Sequence, residues 1–264
     1  MPAQSHRSDP RILGRRTLHR DHRGLAGLLH PGLSVLDIGC GTGAITAGIA
    51  EAVGPSGRVI GIDRDAQLLE IARSEHRTLA NLEFELGDAQ ALRFHAEFDI
   101  VTAARTLQWI AQPAQAIANL KRAAKPSGLV TVLDYNHTRN DWDPDPPREF
   151  RQFYAAFLAW RQANGWDNAM AEHLPALMQS SGLLDVKSTA HDEVVERGQP
   201  DFGERSALWS EVIENLGPQL IAGGYCTDLD LQTASERYRS WVQADLRKQT
   251  LSMRTAIGRV PDGQ

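Results

Sequence analysis

One turn constrains this chain more than any other feature. The apolar run Ser34-Val-Leu-Asp-Ile38 leads straight into Gly39-Cys-Gly41-Thr-Gly43, and a helical pattern begins at Ala44. A short apolar run bounded by glycine is what a strand buried on both faces looks like. Glycines after it let the backbone bend sharply and approach a ligand with no Cβ in the way. The spacing therefore predicts a strand, a ligand-facing turn and a helix over Ala44–Val53, ended by Gly54-Pro55.

The pattern recurs. Strand signals fall at Arg58–Ile62, Leu82–Leu86, Phe98–Ala103 and Leu129–Tyr135, and helical signals at Ala66–Leu79 and Pro113–Ala124. Strands alternating with single helices imply an α/β, doubly wound, mostly parallel sheet with helices on both faces. Beyond it, Asn136–Pro147 reads as a loop, and Arg148–Ala163 and Ala171–Ser180 as helices. Asp185–Val195 has strand character. Glu204–Leu216, closed by Gly217-Pro218, and Leu231–Lys248 read as helices, and Leu251–Val260 returns as the last strand. The expectation is one domain over residues 1–264. It comprises an N-terminal helical segment (1–30), a sheet core (31–135), a loop with helices (136–180), and last strands (181–264) carrying a helical insertion at about 200–248.

Composition sets limits on function. No apolar run reaches the 18 residues of a membrane span, and the N-terminus lacks the apolar stretch of a secretory leader. A cytoplasmic protein without membrane insertion is expected. Only Cys40 and Cys226 are present, so neither a disulfide framework nor a four-thiolate zinc site is available, and no metal is expected. The net charge of −5 argues against a broad nucleic-acid face. The local exception is Arg7, Arg11, Arg15, Arg16, Arg20 and Arg23, interleaved with His19 and His22, which reads as the solvated face of a helix or as an anion or RNA contact.

Two acids join the glycine turn. Asp63 ends the second strand about 20 residues past Gly43, where a carboxylate accepts both hydroxyls of a ribose. Asp88 ends the third strand and is placed to accept from an exocyclic amine, although alone it reads equally as a turn residue or helix cap. Gly39, Gly41 and Ala44 also satisfy a dinucleotide pattern, which explains Asp37 and Asp88 less well.

The segments VLDIGCGTG at 35–43, VIGIDRD at 59–65, GDAQAL at 87–92, FDIVTAARTLQWI at 98–110 and KPSGLVTVLDY at 125–135 occur in one order and spacing. Together they resemble the class I S-adenosylmethionine-dependent methyltransferases, most of all the small-molecule branch that includes ubiquinone and menaquinone-biosynthesis enzymes. The branch's usual proline-glycine-glycine turn is here Pro126-Ser127-Gly128. The resemblance implies a Rossmann-like, seven-stranded sheet, a helical lid, and S-adenosylmethionine as cofactor with S-adenosylhomocysteine as product. It further implies that Gly39, Cys40 and Gly41 meet the amino-acid end of that cofactor, and that Asp37 orients the turn near the ammonium. Asp63 would hold the ribose and Arg64 lie beside the adenine. Asp88 and the Ala89 backbone would read the adenine, with Arg105 and Gln108 near the methionine tail and acceptor entrance.

Methyl transfer is a displacement at a carbon on an already activated sulfonium, so the work is positioning and water exclusion. A base is needed only for a protonated acceptor. Tyr135 and His137, at the end of the fifth strand, are the candidates, with packing and solvation as their plainer roles. His173 and His191 read as structural. All six tryptophans, Trp109, Trp142, Trp160, Trp166, Trp209 and Trp241, follow the first three motifs, and Phe150, Phe153, Tyr154 and Phe157 crowd the same region. They suit either a lid over a flat small molecule or a helix core. The expected partner is a small aromatic or heterocyclic acceptor, with the chain a monomer or homodimer. An RNA acceptor, a peptide acceptor and a non-catalytic binding protein are the alternatives.

Overall fold

The computed structural model describes residues 8–263. Seven strands form the main sheet: β1 (Ser34–Ile38), β2 (Arg58–Asp63), β3 (Leu82–Leu86), β4 (Phe98–Ala104), β5 (Ala124–Tyr135), β7 (Leu184–Ala190) and β10 (Met253–Arg259). Their order is β3-β2-β1-β4-β5-β10-β7. Only β10 runs against its neighbours, pairing antiparallel with both β5 and β7. Strand alternation decides which residues face which layer. Val35, Val59 and Ile100 join one apolar core, while Leu36, Ile38, Ile60, Ile62, Val101 and Ala103 join the core on the other face.

The first face is covered by α2 (Leu18–Asp21), α3 (Arg23–Ala26) and α4 (Ala44–Val53), and the second by α6 (Pro113–Ala123) and α8 (Met170–Ser180). Helix α5 (Ala66–Glu75) packs on β2 and β3 and starts at Asp65, whose carboxylate accepts from Gln67 and Leu68 N–H. Because β1 leads outward to β2 and the chain then returns to β4, the carboxyl ends of β1 and β4 diverge into a crevice.

The structure corrects several boundaries. The N-terminal segment holds three short helices, α1 (Pro10–Gly14), α2 and α3, instead of one; Arg7 lies outside the described residues. The turn at Lys125–Gly128 lies within β5, absorbed as a register shift in which Phe98 pairs with Ala124 and Ile100 with Leu129. The 136–147 loop contains a short strand, β6 (Asp141–Asp143), and the 185–195 stretch divides between β7 and β8 (Glu193–Glu196). With β9 (Lys248–Leu251), β6 and β8 form a second antiparallel sheet of order β6-β9-β8, so the helix expected to reach Lys248 stops earlier.

Above the carboxyl ends stand α7 (Arg148–Ala163), α9 (Phe202–Ser206), α10 (Leu208–Ala222) and α11 (Asp228–Ala244). Helix α10 runs through Gly217-Pro218 instead of ending there. Leu216 and Leu220 are buried on either side, and a Cβ at Gly217 would meet Leu231 of α11 at 2.5 Å. Continuous packing on α11 thus outweighs the one hydrogen bond that proline removes. The capping box of Thr227 and Asp230 fixes the start of α11.

Candidate functional site

A cavity of about 340 Å³ opens in the crevice at the carboxyl ends of the parallel strands. Its floor begins at the glycine turn. Gly39 sits at φ +75°, and a Cβ there would lie 2.1 Å from Thr106 Oγ1, so the turn after β1 and the loop after β4 touch only because that atom is missing. Gly39 and Cys40 N–H both donate to the Ile62 carbonyl, at 2.7 and 3.0 Å, which ties the turn to β2.

Asp63 completes this clamp. Its Oδ2 accepts from Gly41 N–H at 2.8 Å and its Oδ1 from Asp65 N–H at 2.9 Å, and the half-buried carboxylate lines the cavity. Each oxygen keeps a further lone pair for a ligand hydroxyl. Asp88 caps the short helical turn Ala89–Ala91 by accepting from Gln90 N–H at 2.8 Å, and still faces the cavity with Ala89 and Arg64. The cap and the site are thus compatible in one residue.

Asp37 and Cys40 do not line the cavity. Asp37 lies buried behind the turn and accepts from Thr46 Oγ1 at 2.7 Å, bracing α4 against β1. Burial pushes its pKa up to about 6, against the pull of the Thr46 hydroxyl. The Cys40 sulfur rests against β2, where a Cβ on Gly61 would meet it at 3.0 Å, and burial pushes its thiol well above the ordinary range.

Arg105 and Gln108 both line the cavity but are engaged with neighbours. The buried Arg105 guanidinium donates to Tyr135 Oη at 3.0 Å and to the Asp21 carbonyl at 2.9 Å, and pairs with Asp21 and Glu193 carboxylates at 3.8 and 3.6 Å. Burial works against its charge, but Tyr135, Glu193 and Asp21 hold its pKa above the usual arginine value. It anchors the N-terminal segment instead of offering a free cation. Gln108 donates through Nε2 to the Arg105 carbonyl at 3.3 Å, which turns its Oε1 toward His137 Nε2 at 2.7 Å.

That bond defines His137. An amide oxygen only accepts, so Nε2 carries the proton and Nδ1 holds the lone pair. Nδ1 is out of solvent reach and has no hydrogen-bond partner among the described residues. The ring stacks on Tyr135, centroids 5.2 Å apart, and meets Phe157 edge-on at 5.6 Å. Burial, aided by Arg161, holds its pKa well below 6.5, so the imidazole is neutral. Tyr135 also lines the cavity, its phenol pushed up by burial. His173 instead pairs with Asp167 at 2.6 Å, and His191 with Thr255 Oγ1 at 2.6 Å, away from the cavity.

The aromatic residues divide between the two roles foreseen for them. Trp109, Phe157, Trp166 and Trp209 line the cavity. Phe150, Phe153, Trp160, Tyr238 and Trp241 are buried in the lid's own core, with Phe150 and Tyr238 stacked at 4.4 Å. Buried beneath them, Arg161 lies 4.2 Å over the Trp109 ring and donates to the Gln108 carbonyl at 3.0 Å.

The N-terminal wall was not foreseen. Asp9, Ile12, Leu13 and Arg16 line the cavity, and Leu13 presses on Gly41, where a Cβ would meet Leu13 Cδ1 at 2.7 Å. The Asp9-Pro10 start of α1, a capping acid before proline at the first helical position, is the signal that marks this segment as ordered. The expected arginine face is largely tied down. Arg11 binds Asp9, Arg15 binds Glu211 and Glu204, Arg20 binds Asp21, and Arg23 reaches the Asp192 carbonyl. Among the described residues no three His, Cys, Asp or Glu side chains converge to hold a metal ion, and no helix is long and apolar enough to cross a membrane.

Comparison with known proteins agrees with this geometry. The family profile described as a methyltransferase domain matches residues 29–182. A demethylmenaquinone methyltransferase of Lactococcus lactis is 40% identical over 177 residues, covering 61% of this chain and 69% of that one. A 37.1 kDa protein from a Streptomyces fradiae transposon is 41% identical over 114 residues, 43% of this chain and 32% of the other. The chain thus spans only about a third of that relative. Among solved structures, a Haemonchus contortus phosphoethanolamine N-methyltransferase bound to S-adenosylhomocysteine superposes with a TM-score of 0.57 at 20% identity, over 91% of this chain and 53% of that one. With a family profile over more than half its length, this chain belongs to the methyltransferase-domain family, of the class I S-adenosylmethionine-dependent fold.

Proposed function

We propose that the chain binds S-adenosylmethionine along the turn and the acids Asp63 and Asp88, and catalyses methyl transfer to a small, flat acceptor held under the lid. A single continuous cavity carries this reading: it joins the Gly39–Gly41 turn, Asp63 and Asp88 at one end to Tyr135, His137 and Trp209 at the other. The residues fit the cofactor: Gly39 and Gly41, at positive φ, form a close-packed turn on the cavity floor, and Asp63 beside them keeps lone pairs for a ligand hydroxyl. Bound there, the cofactor supplies a methyl group on a positively charged sulfur.

What this chain adds is placement. Asp63 takes the ribose hydroxyls while holding the Gly41 amide, and Asp88 with Ala89 and Arg64 borders the adenine. Asp37 acts from behind the turn and Cys40 only through its backbone. Trp109, Phe157, Trp166 and Trp209 exclude water and stack on a planar acceptor. His137 Nδ1 and Trp209 Nε1 are a buried acceptor and a buried donor without partners among the described residues. With Nδ1 covered in this structure, His137 serves as a base only after a side-chain rearrangement that exposes it to an acceptor O–H or N–H, whose proton the neutral imidazole then takes as the new bond to carbon forms. The Lactococcus lactis relative's name supports a small ring acceptor.

Calorimetry with S-adenosylhomocysteine and with NAD tests the cofactor, and an acceptor screen that reads S-adenosylhomocysteine formation tests the activity. Asp63→Ala is expected to weaken S-adenosylhomocysteine by about tenfold or more, the scale of a lost charged hydrogen bond. His137→Ala is expected to slow turnover and leave that affinity unchanged. NAD binding in preference to S-adenosylhomocysteine overturns the reading.

A further inference from the structure

Arg16 is the cation in the cavity wall that its neighbours do not neutralise. It is half-buried, lines the main cavity and also a smaller recess beside it, and forms no ion pair or side-chain hydrogen bond among the described residues. The acids facing it are already engaged. Asp21 pairs with Arg20 at 3.1 Å and Arg105 at 3.8 Å, and its Oδ2 also accepts from Thr17 N–H at 2.6 Å. Glu193 sits between Arg105 at 3.6 Å and Arg205 at 3.7 Å. Glu204 and Glu211, which border the recess, are held by Arg15.

A guanidinium in such a place is uncomfortable. Burial and the nearby Arg105 press its pKa below the usual arginine value, and the opposing pull of Tyr135, Glu193 and Asp21 does not cancel them. The surfaces opposite offer it little, since Ile12, Leu208 and Tyr135 supply only one hydroxyl, already accepting from Arg105. A cation that has lost part of its water is costly unless an anion meets it, and a guanidinium fork meets a carboxylate with two parallel hydrogen bonds.

We propose that Arg16 is a specificity residue that binds a carboxylate carried by the acceptor, so that the substrate class is an aromatic acid and not a neutral ring. The inference rests on the cavity being the cofactor and acceptor site described above. Arg16 shares the recess with Tyr135, at the end of β5, and that places the anion on the acceptor side. Ring stacking under Trp209 and the ion pair at Arg16 would together set the acceptor's orientation toward the methyl group.

The test titrates the full chain, saturated with S-adenosylhomocysteine, with benzoate and 2-naphthoate and with their carboxamides, by calorimetry. At least one acid is expected to bind about tenfold tighter than its amide, the margin of one charged hydrogen-bonded pair. In Arg16→Gln that ratio falls to near one while S-adenosylhomocysteine affinity is kept, and Arg16→Lys retains part of the preference. Equal binding of acid and amide, absence of binding by every probe, or a preference that survives in Arg16→Gln overturns the proposal. So does an Arg16→Gln variant that loses affinity for S-adenosylhomocysteine but not for 5′-methylthioadenosine, because Arg16 would then serve the cofactor's own carboxylate. Wild-type protein that fails to bind S-adenosylhomocysteine sinks the cofactor reading itself, and this proposal with it.

Discussion

Gln108 fixes the tautomer of His137. The amide nitrogen of Gln108 is committed to the Arg105 carbonyl at 3.3 Å, and its oxygen lies 2.7 Å from His137 Nε2, so the ring's only free lone pair is on Nδ1. A residue one loop away from the imidazole thus decides which nitrogen is basic.

Gln108→Leu should therefore leave a buried Nε2–H without an acceptor. The expected cost is about 1–3 kcal/mol of stability. Nitrogen NMR of labelled His137 should show the Nε2-protonated form dominant in the wild type and mixed protonation in the variant. Turnover is expected to fall with S-adenosylhomocysteine affinity nearly unchanged; an unaltered tautomer would rule out the positioning role.

Gly39→Ala should be far worse than a typical turn substitution. The residue sits at φ +75° and its new methyl group would collide with Thr106 Oγ1 at 2.1 Å. Strain of about 1–3 kcal/mol is expected, with loss of S-adenosylhomocysteine binding. Thr106→Ala in the same chain removes the colliding hydroxyl and methyl, so the two changes should couple favourably by about 0.5–3 kcal/mol in a double-mutant cycle read by urea unfolding. Strict additivity would show that the two loops do not touch in solution.

Acid sensitivity should trace to His22. It is fully buried, accepts or donates one bond to Thr102 Oγ1 at 2.8 Å, and burial, helped by Arg105 and His191, lowers its pKa to about 3. The unfolded chain protonates this ring near pH 6.5 and the folded chain does not. Its contribution is therefore complete above about pH 6.5 and is lost as pH falls from there toward 3, at about 1.4 kcal/mol per pH unit. Asp37, raised to about 6, and Asp134, raised to about 7 by burial, act in the opposite sense. They favour the folded state in acid, and that help fades as pH rises from about 4 through those values. Unfolding of wild type and His22→Gln at pH 7, 6 and 5 should show the variant gaining on the wild type with each step down. A constant difference between them would mean that the folded protein protonates His22 readily.

The sheet core was legible because its signals are local. Val35, Leu36 and Ile38 form an apolar run that a glycine ends, and Val59, Ile60 and Ile62 form another that Asp63 ends. Asp63 and Asp88 were legible as rim residues because a strand end followed by a turn places them there. Strand β9 was not. Lys248-Gln-Thr-Leu251 lacks alternation and follows a helix closely, and its partners Asp141–Asp143 and Glu193–Glu196 are distant in sequence. Arg16 and Arg15 were equally opaque, since a run of arginines looks the same whether its acids are water-separated or, like Glu211, nearly two hundred residues away. Asp37 and Cys40 show the converse: motif membership identified the turn but not which of its side chains turn inward, behind the sheet edge.

The cavity wall draws on the chain from Ser8 at one end to Leu251 at the other. A ribosome making this protein therefore releases no partial version of the pocket. The glycine turn and its acids can emerge early, yet they stay open to water until the last strands have been synthesised and folded back. Ligand capture in that sense waits on both flanks of the fold, and a cut before Met253 would take β10 from between β5 and β7 and open the sheet together with the cavity.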